Sequence, residues 1–316
     1  MPNAEPEQET SRFRVEIERL IGADTDEANF GVAVSGGPDS MALLSLASAA
    51  FPGRVAAATV DHQLRAGAHA EAEMVADYCA QAGIDHAILM PPQPITGNLQ
   101  SAAREVRYRL LEGWRKERGI DWLMTAHHAD DQAETLMMRL NRGSGVGGLA
   151  GVRARNAMVL RPLLHWRRAE LAELVKRYSI PHAHDPSNDD PRFDRVAMRR
   201  SLTNASWLDP LSVAKSASAL ADAEKAIVWM TDQLAADFIR QVGEGAIELI
   251  CHDFPDEIVR RLVLKMLALA GSTVPPRGST LDRAVAQLSD GNNAMIGDWL
   301  ITGGKHWVLR PAPARK

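Results

Sequence analysis

The hexapeptide Ser35-Gly36-Gly37-Pro38-Asp39-Ser40 carries the residue types of a phosphate-binding turn. Two glycines let the backbone come close to an anion. N–H groups at the start of a helix converge on that anion, and the helix dipole adds favourable potential. Ser35 and Ser40 offer hydroxyls to phosphate oxygens, and Asp39 offers a carboxylate to a Mg²⁺ that bridges them. The loop has no lysine, so it is not a Walker A motif.

Further polar residues gather in a few short segments. Thr125 to Thr135 contains His127, His128, Asp130, Asp131 and Glu134, and the spacing of three puts Asp131 and Glu134 on one helix face. Adjacent histidines at a strand end can orient phosphate or take a proton from a nucleophile. Arg195 and Arg199 (i,i+4) and Arg104 and Arg107 (i,i+3) can each face one anion, and Arg107 and Arg199 are assigned to function. In isolation these groups read as dipole-complementing acids, packed histidines and surface ion pairs; beside the phosphate loop, the functional reading takes precedence. His182, His184 and Asp185 alternate without a further clear ligand, so no metal is assigned there.

These groups need a scaffold, and the hydrophobic pattern supplies one. Phe30 to Val34 reads as a strand entering the Gly-rich loop, with a helix over Met41 to Ala50. Strands follow at Arg54 to Val60, His86 to Met90 and Asp121 to Ala126. Helices are expected at Ala68 to Ala82, Ser101 to Arg118 and Asp130 to Leu140, the first two stopped by Gly83 and Gly119. This alternation implies an α/β domain: a parallel sheet with helices on both faces. Gly143 to Gly151 is expected as a loop, either a lid near the reacting base or a plain connection. Beyond Ala205 the chain becomes Ala/Leu-rich and helix-like, ending in a hairpin around Gly303-Gly304. The expected organisation is an N-terminal extension (1–25), a catalytic domain (26–204) and a smaller, mostly helical C-terminal domain (205–316).

Taken together, these segments resemble a known family. The SGGxDS signature is that of PP-loop ATPases (adenine nucleotide alpha hydrolase-like), which cleave ATP between its α- and β-phosphates and adenylate a substrate oxygen. Val60-Asp61-His62-Gln63-Leu64-Arg65, the ARxxRY pattern of Arg104, Arg107 and Tyr108, Thr125 to Thr135, Arg161-Pro162-Leu163-Leu164 and Asp185-Pro186-Ser187-Asn188 narrow the match. Over about two-thirds of the chain they resemble tRNA(Ile)-lysidine synthetase. One departure is Arg195-Val196-Ala197-Met198-Arg199, where the family's RNxxR pattern keeps both arginines and loses the asparagine. The resemblance implies that lysine is joined to the wobble cytidine of a tRNA(Ile) with a CAU anticodon, using ATP and Mg²⁺. It also implies nucleotide binding by residues 35–40, Asp61 and Arg107, and catalysis by Asp39, His127, Asp131 and Arg199. Mg²⁺ would be held by Asp39 and Asp131, and the lysine ammonium by Asp131 with Glu134.

Composition sets the remaining bounds. The 316 residues are 46% hydrophobic and 24% charged, enough for two cored domains. No apolar run approaches the roughly 20 residues of a membrane span, and the polar N-terminus has no signal-peptide pattern. Cys79 and Cys251 are far apart, which fits a reducing cytoplasm and disfavours a sulfur-transferring PP-loop thiolase. An amidating synthetase would ordinarily bring a glutaminase; a non-catalytic ATP-binding module would not need this many polar groups at strand ends. The net charge is −4, but residues 153–205 hold eleven basic residues against six acidic ones, a local patch able to meet RNA phosphate. Nothing in the sequence separates a monomer from a homodimer.

Overall fold

A computed structural model describes residues 7–63, 67–95, 99–183, 194–243 and 245–313. Leu64, Arg65 and His184 to Asn188, named above, lie outside the described residues. The chain forms two compact units, Met1–Ala221 and Asp222–Lys316.

The first unit opens with α1 (Glu7–Ile21), whose buried Phe13, Ile17 and Ile21 recur every four residues along one face. The α/β alternation follows: β1 (Phe30–Ala33), α2 (Pro38–Ala50), β2 (Val55–Val60), α3 (Ala68–Ala82), β3 (Asp85–Leu89), α4 (Leu99–Glu117), β4 (Trp122–Met124) and α5 (Ala129–Asn141). A short helix α6 (Val146–Leu149) then leads to β5 (Arg155–Asn156) and β6 (Val159–Leu160), and α7 (Arg168–Arg177) and α8 (Asp194–Thr203) follow. The sheet order is β3-β2-β1-β4-β6-β5, parallel except for the antiparallel edge strand β5.

Successive strand residues face opposite sides, and the two sides bury different partners. Phe30 and Val32 pack with α1, α2 and α7, where the Phe51 ring lies 4.6 Å from Phe30 and 6.4 Å from Phe13. Between them, Gly31 faces Trp114 of α4; a Cβ there would lie 2.7 Å from the indole, so the strand leaves room for the ring. The polar residues are therefore collected where the parallel strands end, above a core that holds those ends in place.

The second unit holds the expected helices and, beside them, a sheet that the sequence reading gave only as a terminal hairpin. Helix α9 (Pro210–Phe238) crosses the division between the units, and α10 (Asp256–Leu269) and α11 (Gly278–Ser289) follow. They accompany a five-stranded antiparallel sheet of β7 (Ile239–Val242), β8 (Ala246–Leu249), β9 (Ala294–Ile296), β10 (Trp299–Thr302) and β11 (Trp307–Pro311), in the order β7-β8-β11-β10-β9. The β10–β11 hairpin forms around Gly303-Gly304 as expected. The overlooked strands are short: β7 and β8 continue an Ala/Leu-rich helical stretch and turn at Gly243 and Gly245, both with positive φ. Val263 and Met266 of α10 and Leu281 of α11 cover Leu249, Ile301 and Trp307 of the sheet.

Candidate active site

β1 ends in the phosphate loop. Gly36 has φ +84°, a conformation that favours glycine, and its carbonyl accepts the Ala183 N–H at 2.8 Å. Gly37 caps α2 and Pro38 follows in its first turn, where a missing N–H costs nothing. The two serines have separate roles. Ser40 is buried; its hydroxyl donates to the Gly37 carbonyl (2.9 Å) and accepts the Ser35 N–H (3.1 Å), bracing the turn from within. Ser35 is exposed, and its hydroxyl lies 3.3 Å from that of Ser40 at the rim of the turn.

β4 ends beside this loop and feeds α5. The His128 imidazole is 2% exposed and lies between three carboxylates. Its Nε2 is 3.5 Å from Asp39 and 3.6 Å from Asp131, and its Nδ1 is 3.6 Å from Asp130. Burial opposes the charge on His128, but contacts with Asp130 and Asp39 and the charges of Asp131 and Asp39 outweigh it and lift the pKa to about 10. Burial also opposes ionisation of Asp130 and Asp131. His128 and the Arg168 N–H nevertheless hold Asp130 below the usual range, and His128 and Arg195 do the same for Asp131.

His127 next door behaves oppositely. Burial, together with the charges of Arg161, Arg195 and Arg104, takes its pKa down to about 3 against the pull of Asp131. Its Nδ1 meets the Thr125 hydroxyl at 3.0 Å. Before substrate arrives His127 is a neutral ring, suited to hydrogen bonding and weak as a proton acceptor. The raised His128 pKa carries a stability consequence. Its contribution is complete below the ordinary 6.5 and is lost as pH rises through about 10. Unfolding midpoints recorded against pH should therefore fall along that alkaline limb, and His128→Asn should flatten it.

The Asp131/Glu134 face of α5 meets the Arg195/Arg199 face of α8. Glu134, whose side chain is 3% exposed, accepts from Arg195 Nε at 2.8 Å and Arg199 Nε at 2.6 Å, while Arg195 Nη2 donates to Asp131 at 3.0 Å. Burial opposes the charge on Arg199, but bonding to Glu134 and the charges of Glu134, Asp131 and Asp39 raise its pKa. The sequence spacings thus interlock, with one difference from expectation: Glu134 is committed to two guanidiniums rather than left open for an ammonium.

Asp131 is similarly occupied, with its second oxygen accepting the His128 N–H at 3.0 Å. Asp39 is not: its Oδ1 is buried and has no hydrogen-bond partner among the described residues. Asp39 therefore fits a Mg²⁺ ligand, and Asp131 would have to exchange a partner to become one. A single carboxylate joined by substrate phosphates is ordinary Mg²⁺ ligation.

At the end of β2, Asp61 is 4% exposed and accepts the Gln63 N–H at 2.8 Å. Arg107 of α4 is half-buried; burial and, after it, the Arg107 charge depress the pKa of His62. Arg107 thus belongs to the β2 side of the site, and Arg199 to the β4 side.

The expected loop at residues 143–151 is tied down. Gln132 of α5 grips Val152 through both amide atoms, each at 2.7 Å, and Arg139 donates to the carbonyls of Gly148 and Gly151. Gly151 has φ +65°, and a Cβ there would lie 2.3 Å from Gln132 Oε1. Gly151→Ala should lower unfolding free energy by about 2–4 kcal/mol in denaturant titrations, through backbone strain and the lost amide clamp. Unchanged stability would show that the clamp does not hold the turn.

This geometry can be set beside known proteins. The model of the PP-loop domain matches residues 9–206. A tRNA(Ile)-lysidine synthase of Zymomonas mobilis is 43% identical over 296 residues, covering 90% of this chain and 89% of that protein. Another, from Novosphingobium aromaticivorans, is 41% identical over 293 residues, with 90% and 88% covered. The chain belongs to the tRNA(Ile)-lysidine synthase family. Among solved structures, a U34-tRNA thiolase of Methanococcus maripaludis is similar in fold, with TM-score 0.55 at 18% identity over 68% of this chain and 79% of that one.

For this lysidine synthase family member, the sequence reading missed how much falls to His128, Asp130 and Gln132. The i, i+2, i+3 spacing of His128, Asp130 and Asp131 around a helix start was the available signal for the first two. The amide clamp of Gln132 left no such signal, because its partner lies 20 residues away.

Proposed function

We propose that this enzyme joins the ε-amine of free lysine to C2 of the wobble cytidine in a tRNA(Ile) with a CAU anticodon. The observation that carries the reading is the meeting of a PP-loop turn with the Asp131–Glu134–Arg195–Arg199 cluster beside Asp39 and His128.

In the first step cytidine O2 attacks the α-phosphorus of ATP, and the bond to the β-phosphate oxygen breaks to release pyrophosphate. The N–H groups of the loop and the Ser35 hydroxyl hold the departing phosphates. Mg²⁺ held by Asp39 would offset charge on those oxygens. In the second step the lysine amine, having lost its proton, attacks C2. The C2–O2 bond breaks, AMP leaves carrying O2, and the remaining N–H proton goes to solvent. Arg199 and Arg195, aimed by Glu134, stabilise developing phosphate charge, and neutral His127 orients it through a hydrogen bond. Asp131 and Glu134 set the local negative charge that favours the lysine ammonium before it is deprotonated. Asp61 and Arg107 serve the nucleotide on the β2 side. The basic residues of 153–205 other than Arg161, Arg195 and Arg199, together with the C-terminal unit, meet the tRNA.

Omitting lysine tests the order of steps. With ATP and the transcript alone, pyrophosphate should appear in an amount no greater than the enzyme, and lysine should convert this into turnover. Pyrophosphate release that needs lysine but not tRNA would point to an adenylated amino acid instead.

A further inference from the structure

Arg161 is 6% exposed, yet no carboxylate among the described residues lies within ion-pair distance of it. Nη1 donates to the Arg153 carbonyl at 2.7 Å, and Nε is buried without a partner. With one carbonyl as its acceptor among the described residues, a buried guanidinium is costly to keep. Arg195 and Arg199, more exposed than Arg161, both have carboxylate partners. Among the described residues nothing neutralises this charge, and an arriving anion would.

Its position limits which anion that is. Arg161 directly follows β6, where Leu160 pairs with Met124 of β4 and its carbonyl accepts the Thr125 N–H at 3.0 Å. Arg161 therefore stands beside the Thr125–His128 segment, and its charge is one of three arginine charges acting on His127, opposed by Asp131. β6 is two strands from β1, roughly 10 Å across the sheet, so the loop at residues 35–40 serves the outer ATP phosphates without it. Deep burial also disfavours a polynucleotide backbone, which cannot follow a guanidinium into the interior. A small, free, planar oxyanion suits both the burial and the fork of donors.

We propose that Arg161 binds the α-carboxylate of the free amino-acid substrate, forming a second oxyanion subsite on the β4–β6 side of the phosphate loop. This rests on the lysine-ligase reading given above. Arg161 is thereby a specificity residue: it separates an amino acid from a simple diamine.

The test compares labelled lysine with labelled cadaverine, which is lysine without its carboxylate, in ATP-dependent joining to the tRNA(Ile) transcript. The wild-type protein is run beside Arg161→Met and Arg161→Lys. The wild type should prefer lysine by at least about 10²-fold in kcat/KM, since a site built around a charged hydrogen-bonding partner rejects the analogue lacking it. Arg161→Met should lose most of that preference through a raised lysine KM, with cadaverine and ATP constants unchanged. Arg161→Lys should restore part of it. Because no described carboxylate pairs with the guanidinium, Arg161→Met should not lower the melting temperature of the free protein. Equal losses for lysine and cadaverine, a lowered melting temperature, or a shift confined to ATP would overturn the carboxylate assignment alone. No joining of lysine by the wild type would overturn the lysine-ligase reading and this inference with it.

Discussion

Asp39→Ala is expected to lower tRNA-dependent pyrophosphate release by at least about 10²-fold, the scale of losing a preorganised electrostatic group at a reacting centre. Asp39 stands in the first turn of α2 and directs one oxygen toward His128 Nε2, leaving Oδ1 buried and unpartnered. Removing the carboxylate removes an anionic ligand whose Oδ1 is unpartnered among the described residues. Folding should survive, because His128 retains Asp130 and Asp131 nearby. Asp39→Asn separates charge from shape: it keeps the side-chain volume, and its activity should stay near that of alanine. Steady-state pyrophosphate assays at several Mg²⁺ concentrations check this, and recovery of Asp39→Ala at high Mg²⁺ would identify weakened metal binding as the defect. Activity within about threefold of wild type would remove Asp39 from the chemistry.

Glu134→Ala should impair both stability and catalysis. It leaves Arg195 and Arg199 without the carboxylate they share. Breaking a fully buried pair costs about 3–5 kcal/mol, but Arg195 is 43% and Arg199 28% exposed, so water offsets part of the loss and about 2–3 kcal/mol is expected. In catalysis the lysine KM should rise more than the ATP KM, because the negative charge near the amine site falls while the phosphate loop is untouched. Glu134→Gln retains an acceptor for one arginine, so it should recover part of the stability and little of the lysine affinity. A stability loss with both KM values unmoved would make Glu134 a structural pin for α8.

The parts of this site readable in the sequence were those that act locally. Gly36 and Gly37 before Pro38 announce a loop with one positive φ and a helix start, and both are present. The i,i+3 pair Asp131/Glu134 and the i,i+4 pair Arg195/Arg199 each define one helix face, and the faces meet. Their occupancy could not be read, because whether Glu134 is open or paired depends on docking of α8 across more than 60 residues of chain. The opposite charge states of His127 and His128 were equally hidden: burial disfavours the charge on both rings, and contacts with Asp130, Asp39 and Asp131 overcome it at His128, while at His127 three arginine charges reinforce burial against Asp131. In the C-terminal unit, Ile239–Val242 and Ala246–Leu249 are too short for their alternation to outweigh the preceding Ala/Leu-rich helix, and only pairing with β11 defines them as part of a larger sheet.

The most direct measurement is ATP-dependent incorporation of labelled lysine into an unmodified tRNA(Ile) transcript with a CAU anticodon, with Asp39→Ala run in parallel. Label joined to the wobble cytidine by the wild type and absent with Asp39→Ala is the expected result. Pyrophosphate released from ATP with another acceptor, and no lysine joined to this transcript, would contradict lysidine formation while leaving the PP-loop fold in place.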